Sequence, residues 1–182
     1  MTLPEPMTLT DGHLLLRLPE ERDVPAITEA CQDEELARWV PVPVPYRIEH
    51  AKAFVDSRPE AWANADTGEM TFAVTAGDGG RLLGMVGLKA ADATMREIGF
   101  WTAPWARGQG VMTAAARLTC RFGLEVLDLE RVEWWAAVGN VGSRRVAEKL
   151  GFTMEGTCRA RLPHRGDRLD GWVGGLLAGE LR

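Results

Sequence analysis

Arg107-Gly108-Gln109-Gly110-Val111-Met112 stands between a strand-like run, Ile98 to Thr102, and a helix-like run, Thr113 to Glu125. Two glycines at such a junction let the chain turn sharply and aim several backbone N–H groups at one point, where the positive end of the following helix favours an anion. The stretch reads as a phosphate seat.

Outward from it, the periodicities fill in a mixed fold. Upstream, Met95 to Thr102 alternates, with Glu97, Gly99 and Trp101 on one face and Ile98, Phe100 and Thr102 on the other, and Pro104 ends the strand. Before it, Thr71 to Ala76 and Leu82 to Lys89 flank the turn Gly77-Asp78-Gly79-Gly80, which predicts an antiparallel hairpin. Leu14 to Leu18 reads as a first strand and Glu20 to Gln32 as a helix with acids at its positive end. Pro41, Pro43 and Pro45 force an extended, semi-rigid loop, and Glu49 to Asn64 is helical with a break or restart near Pro59. Downstream, Met112, Ala115, Ala116, Thr119 and Phe122 form the packing face of a helix ending near Leu127. Val132 to Val138 is a buried strand, Gly139-Asn140 a turn, Val141 to Leu150 a helix stopped by Gly151, and Phe152 to Leu162 and Leu169 to Leu177 two last strands. That order predicts a mixed α/β sheet with helices on its faces.

Composition narrows the function classes. With 182 residues, 46% hydrophobic and 26% charged, the chain fits one domain over residues 1–182. No apolar run approaches a membrane span and the first residues lack a signal-peptide pattern, so a cytoplasmic protein without a membrane partner is expected. A net charge of −5 argues against nucleic acid as a partner. Cys31, Cys120 and Cys158 and His13, His50 and His164 are scattered without ligand spacing, so no metal is expected. Arg159, Arg161, Arg165 and Arg168, against the single acid Asp167, make either a local basic patch or a charged hairpin edge.

The glycine turn is not that of the common nucleotide folds. Thr113 stands where a dinucleotide fingerprint has its third glycine, Asp128 and Glu130 precede the next strand when an acid should end it, and no Gly-Lys-Ser/Thr follows for a Walker loop. The flanking motifs point elsewhere. Glu97-Ile98-Gly99-Phe100-Trp101, the glycine turn through Thr113, Asn140-Val141-Gly142-Ser143, and Glu148-Lys149-Leu150-Gly151-Phe152-Thr153-Met154-Glu155-Gly156 together resemble the GNAT N-acetyltransferases. The resemblance is closest to the RimJ/RimL-like branch, which acetylates ribosomal-protein N-termini.

The resemblance implies the GNAT fold, a single mixed, mostly antiparallel sheet with a splayed central strand pair and flanking helices. It implies acetyl-CoA as donor, with the pyrophosphate held by Arg107, Gly108, Gln109, Gly110, Val111, Met112 and Thr113 and the pantetheine arm running beside Phe100, Trp101 and Thr102. Asn140 would bond the pantetheine or nearby backbone, although by itself it reads as a turn residue after Gly139. Ser143 would return a proton to the leaving thiolate, with a contribution to the helix N-terminus as its plainer role. Glu155, in the Gly-Phe-x-x-Glu-Gly segment, would take the ammonium proton through water, or is a surface glutamate on a hairpin strand. Glu97 is the second candidate base, with orientation of the amine or pairing to a neighbouring arginine as the alternatives. The oxyanion would meet a backbone N–H between Gly99 and Trp101. The only tyrosine, Tyr46, lies in the proline-rich segment, so the tyrosine acid of many relatives is absent.

The acceptor is an amine, either a ribosomal-protein-like N-terminus or a small amine, and its choice is expected to lie in 34–66, including Trp39, and around Leu162 to Asp170. A homodimer joined through sheet edges or the last strands belongs to the same expectation. Succinyl-CoA or another acyl donor, and a non-catalytic acyl-CoA-binding module, stay open as alternatives.

Overall fold

The computed structural model describes residues 6–64 and 68–182. Its eight strands form one sheet in the order β1-β2-β3-β4-β5-β6-β8-β7. They are β1 (Leu9–Thr10), β2 (Leu14–Arg17), β3 (Glu69–Ala76), β4 (Leu82–Ala90), β5 (Met95–Thr102), β6 (Arg131–Ala137), β7 (Thr153–His164) and β8 (Asp167–Leu177). Every neighbouring pair is antiparallel except β5 and β6, so this is the mixed, mostly antiparallel sheet that the sequence implies.

The helices are α1 (Val24–Cys31), α2 (Glu34–Trp39), α3 (Ile48–Ala63), α4 (Val111–Arg121) and α5 (Val141–Leu150). The strand period divides the core between the two faces of the sheet. Leu16, Phe72, Val86, Ile98, Trp134 and Leu176 point to the face covered by α4 and α5, where Ala115, Ala116, Cys120, Ala147 and Leu150 meet them. Ala73 and Met85 point the other way, to Val24, Ile27, Ala51 and Val55 of α1 and α3. Beyond β5 this second face has no helix of its own.

Several elements differ from the sequence reading, the first being the short edge strand β1, which the sequence did not mark. The expected helix to Gln32 is followed by a separate α2, because the Asp33 carboxylate accepts the Leu36 N–H at 2.8 Å and starts a new helix. The helix α3 passes through Pro59 without a break. The last hairpin is longer than expected: β7 and β8 run on to a tight turn at Arg165 and Gly166, both at positive φ, the geometry that two-residue hairpins prefer.

Candidate active site

The central parallel pair is what opens the sheet. The strands β5 and β6 are paired only from Met95↔Arg131 to Ile98↔Trp134. Phe100, Trp101 and Thr102 stay paired to β4 on one side, and their other edge has no strand beside it. Backbone groups left in this way call for a partner, and an extended ligand can supply it as an added strand would.

A cleft of about 520 Å³ lies in that gap. Of the expected donor-binding residues, Phe100, Trp101, Thr102, Arg107, Gly108, Gly110, Val111, Met112, Thr113, Asn140 and Ser143 all line it. Gln109 is not among the lining residues; its side chain turns away and donates to the Trp105 carbonyl at 3.0 Å. Gly108 and Gly110 sit at φ +74° and +77°, a conformation that favours glycine, and Gly110 caps α4. The first N–H groups of α4 have no carbonyl within the helix to bond and face the cleft end. The Met112 side chain is buried in the core, its tip against Gly84 of β4, so only its backbone is offered to a phosphate.

The start of α5 is arranged around a serine. The Asn140 carboxamide oxygen accepts the Ser143 N–H at 3.1 Å, which makes Asn140 the cap and Ser143 the capped residue. The Trp134 indole N–H donates to Ser143 Oγ at 3.0 Å. With that lone pair engaged, the hydroxyl proton is left to donate towards the cleft.

The two glutamates lie on the same open face of the sheet in opposite circumstances. Glu155 of β7 is outside the cleft and receives both Arg131 guanidinium N–H groups, at 2.8 and 2.6 Å. Arg131 reaches it from β6 by lying across β8 at Gly175, where an added Cβ would come within 2.1 Å of the guanidinium. That hydrogen-bonded pairing holds the Glu155 carboxyl below its ordinary value. Glu97 of β5 is likewise not among the lining residues; it is half-buried, opposite Glu133 on the next-to-last paired rung, and its carboxylate has no hydrogen-bond or ion-pair partner among the described residues. Burial pushes its pKa up; Glu133 and Glu69 add to the rise, and Lys89 and Arg161 oppose it.

The acceptor segments that the sequence marks meet over the cleft. Glu35, Leu36, Trp39 and Val40 of α2 and its exit line it, and Arg165 at the tip of the last hairpin donates to the carbonyls of Ala37 and Val42 at 2.9 and 3.2 Å. Residues 65 and 66 of the first segment lie outside the described residues. Arg107 is paired with Asp33, the α2 cap, so the phosphate turn and the acceptor wall share a contact. Trp62 is core, 1% exposed against Phe72 and Phe122, and Trp105 donates to the Leu82 carbonyl. Tyr46 is buried beside Cys31, whose thiol is pushed up to about 12 by burial.

Sequence reading missed Arg145 and Lys149, one turn apart on α5 and lining the cleft, neither with an ion-pair partner among the described residues. Their spacing of four on a helix was the available signal. It also missed the role of α2, which Asp33 followed by Glu34 and Glu35 could have announced as a helix start.

Residues 13–153 match the sequence profile described as "Acetyltransferase (GNAT) domain". The chain belongs to the GNAT acetyltransferase family. YnaD of Bacillus subtilis (strain 168), an uncharacterized N-acetyltransferase, is 28% identical over 96% of this chain and 99% of its own. YdaF of the same organism, whose name marks it as a proposed ribosomal N-acetyltransferase, is 45% identical over 82 residues, 44% of this chain and 45% of YdaF. A GNAT-family acetyltransferase from Bacillus anthracis superposes with a TM-score of 0.82 at 25% identity, covering 94% of this chain and 98% of that one. RimL, the ribosomal L7/L12 α-N-protein acetyltransferase, solved in complex with coenzyme A, shares the fold with a TM-score of 0.81 at 20% identity, covering 95% and 98%.

This GNAT chain is thus an acyl-CoA-dependent N-acetyltransferase, and acetyl-CoA is its donor. The left-handed glycines, the unpaired edge of β5 and the two free cations of α5 are a donor set that suits it. No group of three or more His, Cys, Asp or Glu among the described residues could hold a metal, and no described helix is long and apolar enough to cross a membrane.

Proposed function

We propose that residues 1–182 form one acetyltransferase domain that transfers acetyl to a primary amine, the N-terminal amine of a protein or a small amine, by direct attack in a ternary complex. The relatives named for ribosomal acetylation support a protein N-terminus as the first acceptor to try. The observation that carries the reading is the placement of Glu97. It is a carboxylate without a partner among the described residues, raised by burial, on the next-to-last paired rung before the sheet opens.

An amine attacks only when neutral, so the site needs a group that accepts the ammonium proton near working pH. Of the two candidates, Glu97 is raised by burial and has no ion-pair partner among the described residues, whereas Glu155 is lowered and committed to Arg131, so Glu97 is the better suited to accept that proton. The reading therefore gives proton removal to Glu97 and leaves Glu155 to brace β6 against β7. Backbone N–H groups 107–113 hold the pyrophosphate, Arg145 and Lys149 meet phosphate charge farther out, and the edge at Phe100 to Thr102 aligns the pantetheine arm. Asn140 fixes the Ser143 backbone, and the Ser143 hydroxyl supplies a proton to the departing thiolate. Direct attack is favoured because Cys31 and Cys120 are buried with thiols raised to about 12, and exposed Cys158 is not in the cleft.

Thiol release from acetyl-CoA, followed across N-terminal peptides, polyamines and aminoglycosides, tests the function. Turnover with at least one amine is expected, and acetyl-CoA binding without turnover on any of them overturns it. The same assay with succinyl-CoA separates the donors. None of the hairpin arginines Arg159, Arg161, Arg165 and Arg168 lines the cleft that would hold the donor, and Arg165 and Arg168 are already spent on backbone carbonyls, so acetyl-CoA is expected to be the better substrate.

A further inference from the structure

The open face beside Glu97 carries a second charged group that the transfer chemistry does not use. Arg161 projects from β7, where the register with β8 shifts between Cys158 and Leu162 and Ala160 adopts a positive φ of 50°. Its guanidinium lies 4.9 Å from the centre of the Trp135 ring. It makes no hydrogen bond or ion pair among the described residues, so the aromatic face alone orients it. Trp135 is itself fixed, because its indole N–H donates to Glu133 at 2.8 Å and its ring lies against Gly171 of β8, where a Cβ would come within 3.2 Å.

The floor between these groups is vacant. A Cβ built on Gly99 would meet no atom within 4 Å, and Gly99 shares its face with Glu97 below and Trp101 above. Glu97 stands opposite Glu133, Glu133 accepts the Trp135 indole N–H and Arg161 lies over the Trp135 ring, so a carboxylate and a pre-oriented guanidinium, both without an ion-pair partner among the described residues, are joined by one run of contacts beside the point where β5 and β6 part. Each is held by its own strand, and Arg161 is felt at Glu97 as a favourable charge without forming an ion pair with it.

We propose that Arg161 is a specificity-determining residue that binds a carboxylate carried by the acceptor, so that the preferred acceptor is an amine with a carboxylate close to it. This rests on the reading that Glu97 receives the acceptor's ammonium. The same chemistry could come from the free carboxylate of an amino acid or from an acidic side chain near a peptide N-terminus. A second ammonium close to the reacting one is disfavoured by Arg161 for the same reason.

The groups facing Glu97 are Lys89 from β4, Glu133 from β6, Glu69 from β3 and Arg161 from β7. Removing Arg161 takes away one of the two cations that hold the Glu97 carboxyl down, so its pKa rises further. The acid limb of the pH profile then moves to higher pH.

The experiment compares wild type, Arg161→Ala and Arg161→Lys on free amino acids and on peptides identical except for Glu, Gln or Lys at the second position. The wild-type enzyme is expected to prefer Glu over Lys in kcat/KM. In Arg161→Ala that ratio falls about fivefold, the size of a partly exposed ion pair, with the acid limb displaced upward, and Arg161→Lys recovers part of both. Which acceptor series shows the effect tells a free amino acid from a peptide. An Arg161→Ala enzyme with an unchanged Glu-to-Lys ratio overturns the inference while the acetyltransferase reading stands. A wild-type enzyme that acetylates no amine overturns both.

Discussion

At its phosphate end the cleft is made by consecutive residues, 107–113, which offer backbone N–H groups. Across from it α2 lines the cleft with Trp39, while the single side chains Glu97 of β5, Trp135 of β6 and Arg161 of β7 stand on the sheet face outside that lining. The first kind of site depends on conformation, and nearly any side chain that permits the turn would serve. The second depends on charge and on which groups already have partners, as Glu97 and Glu155 demonstrate on one face of the same sheet. Arg131 occupies one carboxylate and nothing occupies the other.

The pair of glutamates gives the largest contrast. Glu97→Gln is expected to lower kcat about a hundredfold with little change in the affinity for acetyl-CoA, because a general base contributes on that order. The same substitution removes a carboxylate that burial penalises, so the melting temperature at pH 7 should rise. Glu155→Gln should do the reverse, leaving kcat close to that of the wild-type enzyme and lowering stability. Paired kinetics and thermal melts check both. A Glu155→Gln enzyme with kcat lowered as far as in Glu97→Gln would return proton removal to Glu155.

Next in size is the turn. Gly110→Val forces a β-branched residue to φ +77°, which costs about 1–3 kcal/mol. Acetyl-CoA should bind about tenfold or more weakly by calorimetry, while the sheet keeps its circular-dichroism signature. A variant that binds as tightly as wild type would show that the backbone turn is not the phosphate seat.

The pH dependence of stability separates the glutamates again. The Glu155 carboxyl is lowered in the folded protein, so its contribution is complete above the ordinary carboxyl value of about 4.3 and is lost as pH falls through the folded value. With the Glu155 side chain 39% exposed, the contribution is about 0.5–1 kcal/mol. The stability gap between wild type and Glu155→Gln should therefore be present at pH 7 and close in acid, and a gap that persists below pH 3 would mean the side chain acts through packing.

The smallest effects are expected at the outer phosphates. Arg145→Ala and Lys149→Ala should each raise KM for acetyl-CoA about threefold at low salt, less at high salt, and less for acetyl-dephospho-CoA. Equal effects on both donors would remove the 3′-phosphate as their partner.

Most of the scaffold was legible from residue order. Alternation in β5, the prolines of 41–45, the small residues along α4 and Gly151 after α5 are local signals, and they placed the elements because each answers to backbone geometry within a few residues. The failures were also local in cause. The Asp33 side chain accepts a backbone N–H and starts a further helix just beyond the expected one, and α3 absorbs Pro59 because its packing on the sheet outweighs one missing hydrogen bond.

The site divides along the same line. The glycine turn and the gap beside Phe100 to Thr102 could be read from spacing and family resemblance, since backbone conformation is written in neighbouring residues, whereas the capping role expected of Ser143 falls to Asn140, whose carboxamide accepts the Ser143 N–H. Whether a glutamate is a base or a brace could not, because that is fixed by what lies across from it. Arg131 reaches Glu155 only because β8 is threaded between their strands with a glycine at the crossing, and Arg161 stands near Glu97 only because the last hairpin folds back over Trp135. Sequence determined the donor and the shape that holds it, and the tertiary structure decided which charges are paired and which are left without a partner among the described residues, since a side chain's partner is set by the distance in space between strands and not by their separation along the chain.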